Sequence, residues 1–228
     1  MNAASLFAAL QLADSFFPTG MFTQSHGLER LVEQGLAGEA AVAAVVRSYV
    51  LHVAAPGDAL AARWCARALA EGDLDTVAQI DARLEATKLA SEGRLASRRC
   101  GGRLLLLAAE SFGGPHLPAY ARRVRAAQAH GHQAVALALA AHAAGLAEDE
   151  AVAVELHSFT VSLVSAAIRL GALDHVAGQR LLFQAHPAMA QAAALGRDLH
   201  WRDIGGFAPE IELAQFQHPA GGMHMFVS

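Results

Sequence analysis

Between Glu148 and Gly171 the chain runs through Val152, Val154, Leu156, Phe159, Val161, Leu163, Val164 and Ile168, with apolar side chains on nearly every side of a helix. Such a helix has no face to give to water, so it belongs at the centre of a bundle with other helices packed around it. Glu148-Asp149-Glu150 make an acidic first turn, and Gly171 follows as a C-cap. This one segment commits the chain to a layered helical fold.

The surrounding sequence supplies the partners. Residues 4–13 place Leu6, Phe7, Leu10 and Ala13 on one side, and Leu28, Leu31, Val32 and Leu36 form a stripe opposite Glu29, Arg30 and Glu33. Val42, Val45, Val46, Tyr49, Val50 and Val53 keep amphipathic spacing. Pro56-Gly57-Asp58 reads as a turn and cap before Leu60, Trp64, Cys65 and Leu69. Gly72-Asp73 opens a helix with Val77, Ile80 and Leu84 inward, a charge-free helix covers residues 133–146, and a last long one runs from about Asp174 to Leu195. With no strand alternation, 54% hydrophobic and only 6% aromatic residues, the prediction is all-α rather than a β-sandwich or a disordered chain. Residues 1–199 are expected to form a single domain, a bundle of about nine or ten helices. Residues 200–228, rich in Gly breaks and without a period, are expected to form an irregular C-terminal tail, extended or mobile.

One stretch interrupts the helical pattern. Residues 12–29 read Leu-Ala-Asp-Ser-Phe-Phe-Pro-Thr-Gly-Met-Phe-Thr-Gln-Ser-His-Gly-Leu-Glu. Pro18 fixes its own φ and biases Phe17 towards extended backbone, while Gly20 can take φ > 0. Asp14 and Ser15 are placed to end the first helix, Thr19 and Gly20 to make the turn, and Ser25 to cap the second. Phe16, Phe17 and Phe22 must then pack under the helices or face a partner, and the sequence leaves both open.

Several function classes are excluded or weakened. A net charge of −4 gives no electrostatic footprint for nucleic acid. The charge-free run of residues 126–147 is interrupted by His, Gln and Gly, and its purely apolar part is too short to span a membrane. Without a basic leader, and with only Cys65 and Cys100, the chain reads as cytoplasmic with two structural thiols. The single lysine, Lys88, sits in no phosphate loop, and no nucleophile is paired with a base, so no enzyme is expected. Arg94, Arg98 and Arg99 share a helix face, either solvated or docking a partner carboxylate. Gly101-Gly102 can bend that helix or admit a close neighbour. Among twelve histidines, His130 with His132, and His218 with His224, are the weak metal candidates, each pair lacking further ligands.

Four segments stand out in order along the chain. The first is Leu12-Ala13-Asp14-Ser15 with Phe17-Pro18-Thr19-Gly20, Phe22, Ser25 and Gly27-Leu28-Glu29. The others are Glu92-x-Arg94-x-Ala96-Ser97 with Gly102-Arg103-Leu104-Leu105, His130-Gly131-His132, and Ser165 to Gly171 with Gly178-Gln179-Arg180. Together they resemble the urease accessory protein F (UreF) family. The chain departs from the family at Ala172-Leu173-Asp174-His175 and in the tail, where family arginines give way to Phe216-Gln217-His218 and His224 to Ser228. The resemblance implies a non-enzymatic scaffold, usually a homodimer, bridging a UreD (UreH)-type protein and the UreG-type GTPase that delivers nickel to apo-urease. Nickel would then be transient cargo, with no cofactor tightly bound. The competing expectation is a carrier that binds nickel itself through His130, His132 or the tail histidines. Arg94, Arg98, Arg103 and Arg169 are the candidate partner-facing or dimer-organising charges, Arg169 being also placed to satisfy helix carbonyls or a buried acid.

Overall fold

The apolar segment Glu148–Arg169 is the helix α9, and it lies against α1 (Ala3–Ala13), α2 (Leu28–Glu33), α3 (Glu39–Tyr49), α4 (Leu60–Ala70), α8 (Gln133–Ala143), α10 (His175–Gln184) and α11 (His186–Leu195). The chain is described by a computed structural model that covers residues 2–21, 24–217 and 226. Completing it are α5 (Leu74–Thr87), α6 (Ser91–Phe112), α7 (His116–Arg125) and α12 (Pro209–Gln217), with no strand among the described residues. The expected all-α bundle is therefore the fold. Two cores flank α9: Ala151 and Val154 join one built on α4, α5, α6 and α8, whereas Leu156, Phe159 and Leu163 join one built on α2, α3, α10 and α11.

Local chemistry sets most boundaries. Asn2, Asp73 and Asp174 accept from the first-turn N–H groups of Ser5, Thr76 and Ala177 at 2.9, 2.9 and 2.7 Å. Gly171 has φ +74, as the C-cap pattern requires. The single long helix expected from Asp174 to Leu195 is instead two, because Pro187 lacks an N–H and starts α11 afresh.

The Pro56-Gly57-Asp58 turn is also not formed. Val50–Ala59 winds as a π-helix and joins α3 to α4 in one continuous rod. In an α-helix the Pro56 ring would strike the His52 carbonyl. The wider π turn moves the ring clear of that carbonyl, which accepts from Phe207 N–H at 3.1 Å, and Pro56 O accepts from Gly205 N–H at 3.0 Å. Gly206 makes this seating possible, since a Cβ there would lie 2.6 Å from His52 O. Residues without a sequence period are thus tied to the rod, and Ile204, Ala208, Ile211 and Ala214 are buried.

By length and composition two rods could cross a membrane, Glu39–Ala70 and Glu148–Arg169. The second has 67% of its apolar window buried in the bundle. It is the core helix that the opening pattern requires.

Candidate functional site

The aromatic turn is built by local hydrogen bonds. Asp14 caps α1 and its Oδ1 accepts from Phe16 N–H at 2.8 Å, while Phe17 N–H donates to Asp14 O at 2.9 Å and Thr19 N–H to Phe17 O at 2.8 Å. Gly20 has φ +87, so the expected turn is present, and Ser15 and Pro18 lie exposed on it. The two phenylalanines divide. Phe17 stacks on Phe112 with ring centres 6.2 Å apart, whereas Phe16 is 89% exposed. Phe22 lies outside the described residues.

The second half of the segment turns inward. Ser25 is fully buried and does not cap α2; the N-cap is Gly27, at φ +84. An inward Ser25 leaves α2 to begin from a left-handed glycine, which a side-chain cap pattern does not anticipate. His26 holds φ +53, an uncommon conformation outside glycine. Its carbonyl accepts from the Tyr49 hydroxyl and, at 3.3 Å, from Gln215 Nε2, and its ring packs 5.0 Å from Phe159. A Cβ on Gly27 would meet Gln215 Cγ at 2.9 Å, so α12 rests directly on the signature backbone. Glu29 is buried and its Oε2 accepts from Phe226 N–H at 3.3 Å.

Beneath this segment is a cavity of about 80 Å³ lined by His26, Tyr49, Asp58, Lys88, Glu155, Phe159 and Glu212 among others. The π segment turns Gly57 and Asp58 towards it, and Lys88 donates to Asp58 Oδ2 at 2.7 Å. Burial pushes the Asp58 carboxyl up, but the Lys88 ammonium more than offsets this and holds it below its ordinary value. Burial lowers His26 to about 4, so its ring is neutral at pH 7. Glu155 is pushed up to about 8, first by burial and then by the Asp58 charge, and burial raises Glu212 as well.

A second polar cluster fixes His130-Gly131-His132. Asp81 accepts from the N–H groups of all three residues at 2.8, 2.7 and 3.0 Å, and from the Tyr120 hydroxyl at 2.8 Å. His132 is fully buried. Its Nδ1 meets Ser97 Oγ at 3.0 Å and its Nε2 meets Glu85 Oε2 at 2.9 Å, so both ring nitrogens are engaged. Nor does His130, 3.8 Å from the same carboxylate, complete a metal site. Among the described residues no three His, Cys, Asp or Glu side chains converge to hold a metal, and His218 and His224 lie outside those residues.

The arginines also separate. Arg94 donates to the carbonyls of Lys88 and Leu89 at 2.6 and 2.8 Å, and both Arg94 and Arg98 lie 3.5 Å from Glu85. Their acid is Glu85 from the preceding helix, bringing that cluster to His132. Arg103 and Gln179 are exposed, and Arg169 donates to Ser165 O at 3.4 Å while its guanidinium covers the Phe226 ring at 4.3 Å. Sequence reasoning missed Asp58, Asp81, Glu85, Glu155 and Glu212. Glu155 had a visible signal, a lone acid between Val154 and Leu156 in the helix that is apolar all round.

The UreF family model matches residues 36–186. Among curated relatives, the urease accessory protein UreF of Paenarthrobacter aurescens is 37% identical over 229 residues, spanning 100% of both chains. The protein of that name from Corynebacterium efficiens is 34% identical, covering 97% of this chain and 96% of its own, and that from Lachnoclostridium phytofermentans is 33% identical, covering 96% of each.

Proposed function

The chain belongs to the UreF family of urease accessory proteins, and on that premise we propose that it is the non-catalytic scaffold of a urease-maturation complex. In this reading it joins a UreD (UreH)-type protein to a UreG-type GTPase as a cytoplasmic homodimer. It tunes GTP hydrolysis by the latter, and nickel passes to apo-urease as cargo. The observation that carries the reading is the signature turn. A hydrogen-bonded turn packs one phenylalanine, Phe17, half-buried against the core and turns its neighbour Phe16 outwards at 89% exposure. An aromatic ring presented to solvent from a hydrogen-bonded turn is the form an interface anchor takes.

Size-exclusion chromatography of the chain with its cognate UreD-type and UreG-type proteins tests this. The expected result is a stable ternary peak that Phe16→Ala weakens while leaving the fold intact. Failure to co-elute with either protein would refute the scaffold role. Nickel carriage through His132 is disfavoured here because both its ring nitrogens are already committed.

A further inference from the structure

The cavity under the signature segment contains more polar chemistry than its protein partners satisfy. Glu155 is 1% exposed and Glu212 8% exposed, and among the described residues the Oε2 atom of each is buried without a hydrogen-bond partner, as is His26 Nε2. Dry burial of three such atoms is costly. The space is about 80 Å³, and a water needs only about 10–15 Å³ plus two or more polar neighbours. Water therefore fits the site in size and in chemistry.

Charge balance then restricts the protonation state. The groups facing Glu155 are Asp58 from the π segment, Lys88 from the link between α5 and α6, His26 and Tyr49, Glu212 from α12, and His132 behind Ser97. Lys88 is spoken for by Asp58, and His26 is neutral. Two further carboxylates would leave three negative charges against one cation in a desolvated space, so at least one carboxyl keeps its proton.

The outer wall is α12. Besides lying on Gly27 and on the His26 carbonyl, it places Gln217 Oε1 to accept from Gln34 Nε2 at 3.1 Å. We infer that the cavity is a hydrated site holding one titratable proton on Glu155 and Glu212, and that loss of this proton loosens α12 from the signature segment. The ligands are water and a proton, and the moving part is the helix that leads into the C-terminal tail.

The direction of the pH effect follows from linkage. Glu155 stands at about 8 when α12 is seated, against an ordinary 4.5 when the cavity opens to solvent. The closed state therefore binds the extra proton: its contribution to seating is fully present below about 4.5 and is lost progressively as pH rises to about 8. Over that interval the opening constant climbs by up to about tenfold per pH unit.

Amide hydrogen exchange on the intact chain tests this, with opening constants corrected for intrinsic exchange, between about pH 5.5 and about pH 8. Peptides within residues 209–217 are expected to open more readily as pH rises, approaching tenfold per unit, with α8 peptides markedly less sensitive. Glu155→Gln should flatten the response, and the infrared band of a protonated buried carboxyl at neutral pH should disappear with it. A flat profile in the unmodified protein, equal slopes in α8 and α12, or an unaltered slope in Glu155→Gln would overturn the inference. Should Glu155→Gln not fold, the unmodified protein still decides, through its own slopes and the presence of the carboxyl band.

Discussion

Gly101→Ala and Gly102→Ala, one residue apart in the same helix, should shift stability in opposite directions. A Cβ on Gly101 would lie 2.0 Å from Gly131 O, 2.7 Å from His132 C and 2.8 Å from Gln133 N, all of them backbone atoms. Carbon contacts settle at roughly 3.5–4.0 Å, so α6 and the 131–133 turn would have to part by more than about 1 Å. Overpacking of this kind costs about 1–3 kcal/mol and sometimes more. Parting also stretches the Ser97 bonds to His132 and to Gln133 N–H, 3.0 and 3.2 Å long. Each is worth about 1 kcal/mol. Alanine returns about 1 kcal/mol through helix propensity. The net loss is about 3 kcal/mol, or a fall of roughly 6–12 °C in Tm for a chain of this size. At Gly102 a Cβ meets nothing within 4 Å among the described residues. Only the propensity gain remains there, a stabilisation of about 0.5–1 kcal/mol. Urea denaturation of both variants measures the difference. Shifts of the same sign, or a Gly101→Ala protein within about 1 kcal/mol of the parent, would refute the close approach.

Three further outcomes follow from the geometry. Phe16→Ala should change stability by less than about 0.5 kcal/mol yet weaken partner binding about tenfold or more, whereas Phe17→Ala should cost about 2 kcal/mol of stability; melting curves and titration calorimetry separate the two. Asp81→Asn places an amide donor among four donors and should cost about 3 kcal/mol, while Tyr120→Phe, losing one bond, should cost about 1–2 kcal/mol by urea titration. Lys88→Met strands the Asp58 charge and should cost about 2–3 kcal/mol at neutral pH. That loss should shrink as pH falls and Asp58 takes up a proton, and Asp58→Asn in the same background should recover part of it.

The bundle was legible because its strongest signals were local. An all-round apolar helix at 148–169, amphipathic stripes and side-chain caps at Asp73 and Asp174 depend on residues a few positions apart, and each is present. The π segment was not legible, because Pro56 stops an α-helix unless the turn widens around its ring. The widened turn is tied by Phe207 and Gly205 N–H groups, which are remote in sequence. Lys88 with Asp58, and His132 with Glu85, are likewise pairs made by helix packing. Ser25 illustrates the opposite error. Its residue type suits an N-cap, but burial of the whole segment turned it inward and left the role to Gly27.

The close approaches at Gly27, Gly101 and Gly206 explain how a cavity can persist in this molecule. At each, backbone meets backbone or the root of a side chain: Gly27 against Gln215, Gly101 against Gly131, Gly206 against His52 and Val53. Two of them border the cavity through Gln215 and Val53, and the third sets α6 against the start of α8, which carries Gln133 into its wall. Main-chain contacts have no rotamers to relax, so walls fixed this way cannot close over a gap as side chains would around a purely apolar void. The Glu155, Glu212 and His26 atoms inside then stay apart from one another, with room for water between them. Any change in their charge must be taken up by the least anchored wall, and α12 is nine residues long, so its seat on the signature segment is where that strain can be relieved.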